Sequence, residues 1–125
     1  MDLQFINKAI QDTGATHILN VKINDNGIHR RFYNFIHDRM HNYDFCGKNY
    51  QIKWIGNGNG CFYTVSIFID QVILAHTRKI IIDFIHLENK NKEQLEAFQN
   101  CSFVYSVTKT VGFINQIDPK VFSEE

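Results

Sequence analysis

The sequence predicts an α+β fold: a mostly antiparallel sheet of about five or six strands, with helices packed mainly on one face, in a single domain over residues 1–125. Three observations lead there. Segments of period-two alternation follow one another through the middle of the chain, segments of helical period stand near both ends and after the first strand, and one proline with no repeat or low-complexity tract leaves that order uninterrupted.

The first element is a short helix, with Asp2 as N-cap, a stripe of Leu3, Ile6, Ala9 and Ile10, and Gly14 as the stop. A strand follows, with His17, Leu19, Val21 and Ile23 on one face and Thr16, Asn20 and Lys22 on the other. The run Asn24-Asp25-Asn26-Gly27 signals a turn. Residues 28–41 then take helical period, with Ile28, Phe32, Phe35, Ile36 and Met40 inward and Arg30, Arg31, His37, Asp38 and His41 around the rest.

Alternation returns over Asn49–Ile55, where Tyr50, Ile52 and Trp54 share a face. After Gly56-Asn57-Gly58-Asn59-Gly60, Cys61, Tyr63, Val65, Ile67 and Ile69 alternate with Phe62, Thr64, Ser66 and Phe68, and this strand is expected to be central. Val72–Thr77 and Lys79–Leu87 are expected as two more strands, the second containing Ile80-Ile81-Ile82. A helix from about Lys92, with Asn91 and Gln94 as a capping box, precedes a last strand carrying Phe103, Tyr105 and Val107. The tail has a weak stripe of Val111, Ile114 and Ile117, then a short helical turn after Asp118-Pro119.

Thirteen basic residues balance thirteen acidic ones, so the chain lacks the overall positive charge of a typical nucleic-acid binder. Aromatic residues make up 14% of the chain and eleven are Phe; most are expected in the core, because so many wet rings would aggregate. The three cysteines, Cys46, Cys61 and Cys101, form no CxxC pair, and the last two read as small hydrophobes. The start lacks the pattern of a secretory signal and no apolar run reaches membrane-spanning length, so the expected location is the cytoplasm.

Four segments invite chemistry. The glycines of 56–60 have GxGxG spacing and precede a strand, whereas phosphate-binding loops need a helix N-terminus after them; a hairpin tip is the better reading. His37 and His41 stand one turn apart on a helix and could share a cation, resembling HExxH only loosely because Asp38 replaces the glutamate and no third ligand follows. No metal or other cofactor is therefore expected. The same helix is locally basic, and Tyr33 and Tyr43 offer stacking faces for single-stranded bases. His76-Thr77-Arg78-Lys79 groups proton-transfer and phosphate-binding side chains, as a polar turn also would; Asp83 and His86 are expected on opposite faces of a strand.

No enzyme signature stands out. The expected function is a small soluble protein-binding module, of the kind that inhibits or confers immunity to a partner toxin or enzyme. Its expected binding residues are Arg30, Arg31, Tyr33, His37, His41 and Trp54, since Trp, Tyr and Arg are the usual interface anchors. The alternatives are an RNA- or single-stranded-DNA-binding protein, or a small nuclease or hydrolase using the histidine-bearing helix. An uncovered sheet edge would also let two copies pair.

Overall fold

The computed structural model describes residues 3–43, 49–55, 62–93 and 95–111. The elements are α1 (Leu3–Thr13), β1 (His17–Ile23), α2 (Asn26–His41), β2 (Gln51–Ile55), β3 (Tyr63–Ile69), α3 (Leu74–Lys90), α4 (Leu95–Gln99) and β4 (Phe103–Lys109), with a 3-10 turn over Gln71–Ile73 leading into α3. The class is α+β as expected, but the sheet has four strands, ordered β2-β3-β1-β4 and antiparallel throughout.

The missing strands are one helix. Val72–Thr77 and Lys79–Leu87, expected as strands, form the 3-10 turn and α3. The β-branched run around Ile81 favours a strand by composition, yet Ile73, Thr77, Ile80, Ile81, Phe84 and Glu88 are the buried positions, and their spacing is that of one helical stripe. With α3 in place, α2 and α3 each join strands separated by a third, which is the connectivity of a split β-α-β unit.

Strand register sorts the side chains into two faces. On one, Leu19 lies opposite Ile67 and Val107, and Val21 opposite Val65 and Tyr105. This face receives Ile28, Phe32, Ile36 and Met40 from α2 and Ile80, Ile81 and Phe84 from α3, forming the main core. On the other, Ile6, Ala9 and Ile10 of α1 cover Ile18 and Phe68. Helices therefore flank both faces, two long ones against one.

The α1 side also carries a polar row, Lys53–Ser66–Asn20–Ser106, in which the Ser66 hydroxyl donates to Asn20 Oδ1 over 2.6 Å. Both residues are buried, so this bond satisfies groups that would be costly to leave unpaired. β3 is an interior strand, as expected for 61–69; β2 and β4 are the edges.

Local signals account for the ends of the elements. Gly14 closes α1 at φ +68°, a conformation that disfavours side chains, and its N–H donates to Ile10 O. The expected turn at 24–27 is instead the start of α2: Asp25 is N-cap and its carboxylate accepts the Ile28 N–H at 2.9 Å. Asp25→Ala should cost about 1 kcal/mol in a denaturant titration. Asn91 does act as an acceptor, from the Glu93 N–H, although α4 is short and Gln94 lies outside the described residues. So do Asp2, the 56–60 glycines, Cys46 and Cys61, and the tail after Val111. Among the described residues, no helix is long and apolar enough to cross a membrane.

Candidate functional site

α2 runs beside the edge strand β2, and between them a chain of rings passes from the surface into the core. His37 stacks on Tyr33, one helical turn away, at 6.0 Å between centroids and 27° between planes. Tyr33 meets Trp54 edge-on at 5.1 Å. Trp54 packs on His29 at 4.0 Å, and His29 stacks on Tyr63 of β3 at 4.9 Å. Trp54 is nonetheless 42% exposed, although Tyr33 and His29 both pack against it. Its alternation with Tyr50 and Ile52 favours a core position; on an edge strand it is instead substantially exposed.

His29 was not among the expected site residues. It is fully buried, and among the described residues neither ring nitrogen has a hydrogen-bond partner. Burial pushes its imidazole below the ordinary histidine pKa, and the nearby Thr64 backbone opposes this only in part. Contact with aromatic faces favours a desolvated cation by about 2 kcal/mol or somewhat more, whereas taking an unpaired charge out of water costs several kcal/mol. The ring is therefore neutral at pH 7. The sequence did hold the clue: His29 is three residues before Phe32, seven before Ile36 and eleven before Met40, on the flank of the buried stripe.

The six expected residues separate into two groups. Tyr33, His37 and Trp54 are in the ring chain, and Arg30 is exposed on the same side of α2, three residues before Tyr33. His41 is exposed in the last turn. Arg31 belongs elsewhere: it turns to α3, where its Nη2 donates to Glu88 Oε1 at 2.6 Å and its Nε to Oε2 at 3.4 Å. Glu88 is 5% exposed, so Arg31 pairs with a buried carboxylate of α3 instead of joining the ring chain. Together with Phe35, Phe84 and Leu87 the pair lines a groove of about 780 Å³.

His76-Thr77-Arg78-Lys79 does not form a compact set. It lies in the first turns of α3, where Thr77 is buried with its hydroxyl on Ile73 O while the other three are exposed. Asp83 and His86, expected on opposite faces, are one turn apart on α3 and line a shallow cleft with Arg39, Leu87 and Lys90. Among the described residues, no three His, Cys, Asp or Glu side chains are grouped to hold a metal ion. Cys101 is half-buried, with burial pushing its thiol pKa up.

The fold and site together define a split β-α-β sheet that presents an aromatic, arginine-flanked face beside one edge strand. No family model, curated protein or solved structure matches the chain.

Proposed function

We propose that the chain is a protein-binding module, of the inhibitor or immunity type, whose contact face is the outer side of α2 with the edge strand β2. The observation that supports this reading is Trp54, 42% exposed yet braced by Tyr33 and His29. A ring already fixed in place loses little freedom on binding, which is what makes Trp and Tyr effective anchors. Arg30 flanks it as a donor for a carboxylate on the partner, and His37 and His41 extend the face along the helix. The inhibitor or immunity type is suggested by the small size and the balanced charge.

The same geometry favours a protein over a nucleic acid as ligand. Tyr33 and Trp54 meet at 71°, so each ring covers part of the other's surface instead of offering an open platform to a base. Arg31, half of the basic pair expected on this helix, is neutralised by Glu88.

The test compares proteins retained from the native cell by immobilised wild type and by Trp54→Ala, then measures the purified pair by calorimetry. Trp54→Ala should weaken binding at least about 30-fold, the effect of losing about 2 kcal/mol, and Arg30→Ala about tenfold. Retained affinity in a folded Trp54→Ala protein, or binding to an RNA pool that falls steeply with salt, would overturn the reading.

A further inference from the structure

His29 is a group whose protonated form burial disfavours where it stands, with the Thr64 backbone offsetting this only in part. It is fully buried, neither ring nitrogen has a partner among the described residues, and two aromatic rings wall it in. The titratable and charged groups around it do not offset a positive charge. At the start of α2, Asp25 is one turn back and engages its carboxylate with the Ile28 N–H, while Tyr33, one turn on, packs on Trp54. From β3 comes the Tyr63 phenol ring. On β2, Lys53 alternates away from Trp54 to the opposite face, where its Nζ lies 5.0 Å from the Phe5 ring centre. Among the described residues, no carboxylate affects the ring's proton affinity.

The exit is equally defined. A charged imidazole must reach water, and of its two ring neighbours Trp54 is the more open, 42% exposed where Tyr63 is half-buried. That residue sits on β2, an edge strand hydrogen-bonded within the sheet only to β3. Edge strands with one paired side open at lower free energy than interior ones.

We propose that His29 is a proton-operated latch: neutral, it holds Trp54 against the domain, and on protonation in mildly acid solution it releases that ring and loosens β2. The direction follows from linkage. The released state takes up its proton near the ordinary histidine value of about 6.5. The closed state does so only at lower pH, so closure is fully favoured above that value and loses ground as pH falls beneath it. That the same event would lower affinity for a partner rests on the protein-binding reading; the latch itself belongs to the free protein.

Trp54 is the sole tryptophan, so intrinsic fluorescence reads the latch directly. In the isolated chain, titrated from pH 8 to pH 4.5, Trp54 emission should change with a midpoint below that of an ordinary histidine. The change should vanish in His29→Phe and persist in His86→Ala, which removes an exposed histidine of α3 outside the ring chain. An NMR titration of the His29 ring in the wild type should follow the same low midpoint, and it decides the matter if His29→Phe does not fold. Flat emission, a transition that survives in folded His29→Phe, or a His29 ring titrating at or above the ordinary value would each overturn the proposal. None of these readings uses a partner, so a failed latch and a failed binding assay are told apart.

Discussion

Phe32→Ala should lower stability by about 3–5 kcal/mol, the usual cost of removing a fully buried phenylalanine. Phe32 has no exposed surface and is the ring where three elements meet. It stands edge-on to Phe84 of α3 at 5.2 Å and to Phe103 of β4 at 5.6 Å, while those two stack on each other at 6.0 Å. Phe35 and Phe98 extend the cluster from α2 and α4. Truncation at the centre leaves a cavity whose walls belong to different elements and cannot all move inward. For a domain of this size the melting midpoint should drop by roughly 12–25 °C. Phe62→Ala, at a site 40% exposed, should cost no more than about 1 kcal/mol and serves as the control. Equal losses at the two positions would mean that this cluster is not the centre of the fold.

The second large effect concerns Arg31. Arg31→Ala leaves the Glu88 carboxylate, 5% exposed, without its guanidinium. Removing one member of a buried pair costs about 3–5 kcal/mol; because the Arg31 side chain is itself 33% exposed, water entering the gap reduces this to about 2–3 kcal/mol. The double change Arg31→Met with Glu88→Leu should recover most of that loss, since two apolar side chains bring no unpaired charge into the groove beside Phe35 and Phe84. A denaturant double-mutant cycle measures both. If Arg31→Ala leaves stability unchanged while abolishing partner binding, the assignment is reversed and Arg31 rejoins the contact face.

These two residues also show where the sequence was legible. The stripe Ile28–Phe32–Ile36–Met40 reads directly as a buried helix face, and the alternation in β1 and β3 reads as strands, because burial imposes those periods. α3 was hidden by its composition. Isoleucine-rich segments favour strands locally, and dividing the segment at Arg78 concealed a helical period that only the whole span displays. Glu88 deepened the concealment, since a carboxylate at an inward position looks like a break in the stripe until Arg31, 57 residues earlier, supplies its charge.

Of the site, the residue types were legible and their grouping was not. Arg30 and Arg31 are adjacent in sequence but 100° apart around α2, and what α3 presents decides which of them is drawn inward. Trp54 could be assigned to a sheet face by alternation, whereas its partial exposure depends on β2 being an edge, a property of strand order. His29 drew no assignment from the sequence, because histidine is intermediate in burial, although its spacing put it beside the core.

The interleaved strand order sets the timetable on which the molecule can be completed as it leaves the ribosome. β1 emerges early, yet its neighbours come much later: the Ser66 hydroxyl bonds to Asn20 across 46 residues, and the Thr110 hydroxyl to the Ala15 carbonyl across 95. Until β4 has been synthesised, one side of the most central apolar strand stands unzipped, its amides and carbonyls open to any passing chain. Nascent fragments ending before residue 103 should therefore clump or recruit chaperones where the full chain does not.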